Sequence, residues 1–199
     1  MPVKITIIGG GLSGSEAALQ LAARGYDVHL YEMRNKVKTP AHKTAGLAEL
    51  VCSNSFKGLG LTSAHGLFKR ELFELGSFLL PAAQKASVDA GESLTVDRAV
   101  FSQEVETLIS SFDNITLHRE EVHSVDPNEW TLVAAGPLCS DKLAESIFQQ
   151  IGSEKLSFFD AIAPVVDADS VDMEQAYFKN RWDKGTTKDF LNCPLDKDT

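Results

Sequence analysis

The sequence predicts an α/β fold of the Rossmann type, opened by a parallel βαβ unit. Three observations predict it. A short run rich in β-branched residues, 3–8, leads directly into a glycine turn at 9–14. Apolar residues (Ala17, Ala18, Leu21 and Ala22) then recur at helical spacing across 13–24. After Gly25, the expected helix C-cap, an alternating run at 27–32 reads as a second strand. Strand, crossover helix and strand in this order make a right-handed parallel unit.

The turn carries the motif G-x-G-x-x-G at Gly9, Gly11 and Gly14, with Gly10, Leu12 and Ser13 between them. Each motif glycine has a task. The first permits the tight turn out of the strand. The second lets a pyrophosphate approach the backbone, and the third lets helix and strand pack closely. The helix N-terminus that follows offers N–H groups and a partial positive charge to a diphosphate. Glu32 ends the second strand, where a carboxylate accepts hydrogen bonds from ribose hydroxyls. A carboxylate there disfavours a 2′-phosphate, hence NADP at this site. FAD and NAD both remain open on these residues.

Beyond this unit the chain reads as follows. Residues 34–62 form a long, locally basic connection. Arg34, Lys36, Lys38, Lys43 and Lys57 stand against a lone Glu49, with one helical turn expected at 47–51. So long a connection is functional or disordered as a rule. Its cations fit three roles equally: nucleic-acid phosphate contact, a cover for the cofactor pyrophosphate to which Arg34 belongs, or a solvated loop. Residues 66–80 read as one amphipathic helix with Leu67, Leu72, Phe73, Leu75 and Leu79 as its apolar positions. A β-hairpin is expected at 87–96 around Ala90-Gly91. A helix is expected at 101–112, strands at 115–117 and 131–135, and a helix at 141–151 capped by Ser140. From Phe158 onward the pattern is less regular, and no closing element is expected in the last residues.

Two later features favour FAD. Leu94-Thr-Val-Asp-Arg98 precedes a helix, as in many two-dinucleotide-binding flavoproteins. The strand at 131–135 ends in Gly136-Pro137 and resembles the second flavin-contact strand of that superfamily, with Ala135 in place of its usual Thr. Gly136 preserves the close backbone approach.

Composition narrows the classes. The 199 residues carry a net charge of −9, so nucleic acid has no global attraction to the chain and needs a local basic patch. No apolar run is long enough for a membrane span and the N-terminus does not read as a signal peptide, so a cytoplasmic protein is expected. Cys52, Cys139 and Cys193 are odd in number, widely spaced and without a CxxC pair, which argues against a disulfide framework and a zinc site. The acids Asp160, Asp167, Asp169, Asp172 and Glu174 begin like a calcium loop. Val171 and Asp172 occupy its ligand and glycine positions, so they read as loop and cap residues and no metal is expected. A lone cysteine such as Cys52 is more often a buried inert thiol than a nucleophile, and His42 more often a surface residue than a ligand contact.

Several blocks resemble one family. They are Gly9-Gly-Gly-Leu-Ser-Gly-Ser-Glu-Ala-Ala18, Leu30-Tyr-Glu-Met-Arg34, Thr39-Pro-Ala-His42, Glu49-Leu-Val-Cys-Ser-Asn-Ser55, Val96-Asp-Arg98, Gly136-Pro137, Val166-Asp-Ala-Asp-Ser170 and Leu191-Asn-Cys-Pro194. Together they resemble the folate- and FAD-dependent tRNA (uracil-5-)-methyltransferases, the TrmFO/Gid family. The resemblance implies FAD held at residues 9–14 and Glu32. It implies 5,10-methylenetetrahydrofolate as methylene donor, NAD(P)H as reductant and a T-loop uridine of tRNA as acceptor. It raises Cys52 to a candidate catalytic thiol, because C5 chemistry on uracil needs a nucleophile at C6 or a carrier for the methylene group. Family members are about twice this length. The chain is therefore expected to be an N-terminal portion: 1–150 the first part of the FAD domain, 151–199 the start of an inserted α+β domain. It is not expected to complete the reaction alone. The alternatives are another FAD- or NAD-dependent oxidoreductase, or a non-catalytic nucleotide-binding fragment. Oligomeric state is not legible.

Overall fold

A computed structural model describes residues 2–152, 166–180 and 188–194. Its centre is a four-stranded parallel sheet. Strand β1 (Lys4–Ile8) pairs with β2 (Asp27–Tyr31) on one side and β7 (Thr131–Val133) on the other, and β2 pairs with β6 (Ile115–His118). The order β6-β2-β1-β7 places the first strand inside the sheet. Helix α1 (Leu12–Ala23) is the crossover between β1 and β2, as the sequence predicts. Gly25 ends it in the left-handed region, φ +84°, donating to the Ala22 carbonyl.

The core forms where this sheet meets its helices. Ile7, Val28 and Leu30 from the sheet meet Ala18, Leu19 and Ala22 from α1. Phe101, Val105 and Ile109 of α4 (Arg98–Ser110) close it from beyond α1. The four-residue period of those three positions puts them on one helical face. Asp97 caps α4 by accepting from the N–H groups of Ala99 and Val100. Helix α5 (Asp141–Ile151) is capped by Ser140 as expected and ends at Gly152 in the left-handed region.

The segment between β2 and α4 departs from expectation. The basic connection contains a strand, β3 (Ser55–Gly58), that joins β5 (Ser93–Val96) and β4 (Ser87–Val88) in an antiparallel sheet of order β3-β5-β4. The predicted hairpin is present as β4 and β5, but with a third partner. No helical turn forms at 47–51; residues 47–48 make a tight turn with Ala48 at φ +51°. The single helix expected at 66–80 is two helices, α2 (Ala64–Glu74) and α3 (Leu79–Lys85). Gly76 at φ +79° breaks them, a conformation a helix cannot continue through. Leu67, Phe73 and Leu75, expected on the buried face, are exposed. The buried positions of α2 are Gly66 and Lys69 instead. Gly66 lies against the Gly60 carbonyl with no room for a side chain, and Lys69 Nζ donates to the carbonyls of Phe56 and His65 at 2.8 and 2.9 Å.

In the described part of 166–194, β8 (Tyr177–Phe178) and β9 (Leu191–Asn192) pair antiparallel. Asp167 caps a single 3₁₀ turn at Ala168–Ser170, the loop-and-cap role expected of it; Asp160 lies outside the described residues.

Candidate functional site

At the C-terminal ends of β1, β2 and β7 lies a cavity of about 420 Å³. Open parallel sheets bind ligands at this end, in the crevice where strand order reverses. It is lined by Ile8, Gly9, Gly11, Leu12 and Ser13 of the first strand end and turn, by Glu32 and Arg34 after β2, and by Ala134, Ala135 and Gly136 after β7. Val51 and Cys52 from the basic connection reach the same cavity.

The glycines divide their work. Gly9 adopts φ +110°, and a Cβ there would stand 2.6 Å from the Ala134 carbonyl oxygen. A Cβ on Gly14 would run into the Gly9 carbonyl, so the third glycine is what lets α1 sit against the turn. A Cβ on Gly11 would meet nothing within 4 Å. Gly11 is also the N-cap of α1, with no side-chain cap over the first helical turn. Open space directly before an uncapped helix N-terminus suits a diphosphate. Gly10 does not line the cavity. Its N–H donates to Glu32 Oε2 at 2.9 Å, and its carbonyl accepts from the Ala48 N–H at 2.8 Å.

Glu32 is buried and its carboxylate is fully engaged. Oε1 accepts from the Arg34 backbone N–H and Nε, and Oε2 accepts from Gly10 N–H and Arg34 Nη2, all at 2.9 Å. Arg34 is equally buried, and its Nη1 reaches Glu49 Oε2 at 3.3 Å. The cation that began the predicted basic run is thus an ion-paired interior residue, while Lys36, Lys38, Lys43 and Lys57 are exposed. Burial pushes the Glu32 carboxyl up, but the Arg34 side chain and the two backbone N–H groups outweigh it and hold it below the usual range. Glu49 behaves likewise. Burial raises it, and hydrogen bonds from the Lys43 and Thr44 backbone and the Thr44 hydroxyl, with the nearby His42 charge, bring it down.

Of the two cysteines at the cavity, Cys52 is exposed and Cys139 half-buried. Burial, together with the Asp141 carboxylate, pushes the Cys139 thiol up, against one backbone hydrogen bond that lowers it. Its raised pKa makes Cys139 a poor nucleophile. The buried-thiol expectation for Cys52 is not met: Cys52 is exposed and lines the cavity beside Val51. Cys193 is exposed. His42 lines the cavity and is not a simple surface residue; its Nδ1 lies 2.6 Å from the Thr39 hydroxyl. Among the described residues no group of three or more His, Cys, Asp or Glu could hold a metal ion.

Glu120 and Val122 also line the cavity and carry no sequence signal of their own. Only the glycine turn locates the sheet end that they share.

Comparison with known proteins agrees with this architecture. Residues 4–199 match the family model described as "Glucose inhibited division protein A". The chain is 52% identical over 193 residues to the methylenetetrahydrofolate–tRNA-(uracil-5-)-methyltransferase TrmFO of Acholeplasma laidlawii, covering 97% of this chain and 45% of that protein. It is 51% identical over 195 residues to the protein of the same name from Aquifex aeolicus, covering 98% and 44%. It therefore spans a little under half the length of these curated relatives. Among solved structures, Aquifex aeolicus GidA in its form I crystal superposes with a TM-score of 0.52 at 18% identity, covering 69% of this chain and 26% of that one. At that identity the likeness supports the Rossmann-like fold alone. No described helix is long and apolar enough to cross a membrane. With the family model matching all but the first three residues, the chain belongs to the glucose inhibited division protein A family.

Proposed function

We propose that this chain is the N-terminal part of a folate- and FAD-dependent tRNA (uracil-5-)-methyltransferase, with residues 1–150 supplying the first part of the FAD domain and 151–199 opening an inserted domain. The observation that carries the reading is one cavity holding the glycine turn, Glu32, Gly136 and the exposed thiol of Cys52. The two relatives above are named for transfer from methylenetetrahydrofolate to uracil C5 of tRNA, and they share about half of this chain's residues.

The residues present fit FAD. Gly11 leaves open backbone where the pyrophosphate approaches, the first turn of α1 presents its N–H groups to it, and Glu32 stands where the ribose hydroxyls arrive. Gly136, with nothing within 4 Å of the place a Cβ would take, leaves its part of the lining open to close backbone approach. When bound, FAD supplies the electrons that turn a transferred methylene into a methyl group, and NAD(P)H replenishes them. Cys52 Sγ serves as the nucleophile at uracil C6 or as the carrier of the methylene group. The exposed Lys36, Lys38, Lys43 and Lys57 provide local positive charge for tRNA phosphate on an otherwise acidic chain. A tRNA substrate sets the work in the cytoplasm.

The purified chain is expected to be yellow, with flavin absorbance that elutes as FAD. Colourless protein that takes up no added FAD overturns the reading. In a chain extended to the length of its relatives, formation of 5-methyluridine in unmodified tRNA is expected with FAD, NAD(P)H and methylenetetrahydrofolate. Cys52→Ala is expected to lower it at least about a hundredfold with FAD content unchanged.

A further inference from the structure

The Glu32 carboxylate has room for about four hydrogen bonds, and all four positions are filled. Two of the donors are side-chain nitrogens of Arg34. If the ribose of a bound nucleotide reaches Glu32, as the proposed function requires, its hydroxyls must displace at least one of these bonds. The Gly10 N–H and the Arg34 N–H are fixed by the backbone of the turn and of the strand end. The guanidinium is the donor that can leave.

A leaving guanidinium does not go to water, because Arg34 is 7% exposed. Its third nitrogen, Nη1, already contacts Glu49. Glu49 in turn holds its own loop together: Oε1 accepts from Lys43 N–H at 2.9 Å, and Oε2 accepts from the Thr44 N–H at 3.2 Å and hydroxyl at 2.8 Å. Ala48, next to Glu49, is fastened to the Gly10 carbonyl. Ser102 Oγ holds the Leu47 carbonyl at 2.6 Å. Residues 47–48 are therefore fixed, Leu50 packs against the core and the Asn54 carbonyl is held by the Val96 N–H, so Glu49 stands just before a short stretch, 51–53, that carries Cys52 between two anchored points.

We infer that Glu49 is a positioning residue that, through Arg34, links occupancy of the nucleotide ribose at Glu32 to the placement of Cys52. In the unliganded arrangement Arg34 bridges two carboxylates. When ribose hydroxyls take over on Glu32, the guanidinium shifts toward Glu49 Oε1, which accepts a single bond, from Lys43, and residues 51–53, which carry Cys52 at the same cavity, reset between Leu50 and Asn54. Coupling of this kind is reciprocal, so the state of Cys52 feeds back on nucleotide affinity by the same factor.

The test uses the full chain with ADP as the ribose-bearing probe and 2′,3′-dideoxy-ADP as its hydroxyl-free counterpart, both saturating. Alkylation of Cys52 by iodoacetamide is followed by peptide mass spectrometry. Cys52 is expected to react about fivefold or more faster with ADP than with the dideoxy compound. Steric blocking of the cavity is the same for both and drops out of the comparison. In Glu49→Gln the two ligands should give one rate. Arg34→Lys, which keeps the charge but cannot span two carboxylates, should do the same and decides the matter if Glu49→Gln does not fold. Equal rates in the wild type, or a ligand difference that survives in a folded variant, overturn the coupling. Failure of the wild type to bind either nucleotide by calorimetry instead overturns the nucleotide reading, and the coupling with it.

Discussion

Gly11 and Gly14 sit three residues apart in one motif and answer to different constraints. A methyl group at Gly14 collides with the Gly9 carbonyl, whereas one at Gly11 enters open space. Gly14→Ala should therefore act on the fold, costing about 1–3 kcal/mol as overpacking does and lowering the thermal midpoint. Gly11 has φ −73°, which alanine adopts freely. Gly11→Ala should leave stability within about 1 kcal/mol of the wild type and lower FAD affinity by at least about tenfold, read by calorimetry alongside thermal melts. If both variants lose stability equally, Gly11 is a packing glycine and the open cradle is not its task. The motif's place was legible in the sequence because glycine spacing reports backbone needs directly. The saturation of Glu32 was not. It depends on Arg34 being buried between Glu32 and Glu49, which lies fifteen residues further along, and no local pattern marks a buried arginine.

The elements that were read correctly draw their signal from their own residues: the β-branched β1, the four-residue period of α4, and the Ser140 cap of α5. Those misread depend on partners elsewhere. Strand β3 exists because β5 offers it an edge and Lys69 ties the Phe56 carbonyl from α2; its own four residues, Ser-Phe-Lys-Gly, do not alternate as a half-buried strand should. The break between α2 and α3 is marked by Gly76, but a glycine inside an amphipathic pattern does not by itself say whether the helix stops. What completes the break is Glu16 on α1. Its carboxylate accepts from the Ser77 hydroxyl at 3.0 Å and from the N–H groups of Phe78 and Leu79 at 3.0 and 2.9 Å, serving as a cap for α3 supplied by another helix. Glu16→Ala should cost about 1–2 kcal/mol, the range of a lost N-cap. The loss should be local: hydrogen exchange is expected to accelerate at 77–80 while β1 and β2 stay protected. Uniform acceleration over both regions would mean that Glu16 holds the core rather than the cap.

On the scale of the whole molecule, two opposing electrostatic effects govern how the fold answers to pH. The net charge of −9 repels itself, and acid relieves it. Against this stand groups whose native pKa lies below the ordinary value. His118 is lowered by burial and by the charge of His29, whose Nδ1 is 2.9 Å from His118 Nε2; Lys4 adds to the effect, and Glu120 opposes it from 3.8 Å. Between its native pKa and the ordinary histidine value of about 6.5, the unfolded chain binds more protons than the folded one. Stability therefore falls as the pH drops through that window. Glu32 and Glu49 give the same sign at lower pH. Their contribution is complete above about 4.3, the ordinary glutamate value, and is lost as the pH falls through their depressed native values. Salt distinguishes the competing effects, since it screens the dispersed surface charge far more than a buried carboxylate–guanidinium cluster. The thermal midpoint in moderate salt is thus expected to decline in two stages, one beginning near pH 6.5 and one below about 4.3. His118→Gln should remove the first stage and leave the second. A midpoint that rises on acidification in high salt, where self-repulsion is already screened, would show that the buried trio is not the controlling element at low pH. Were that so, the link from Glu32 through Arg34 to Glu49 would have to be carried by shape alone and not by charge.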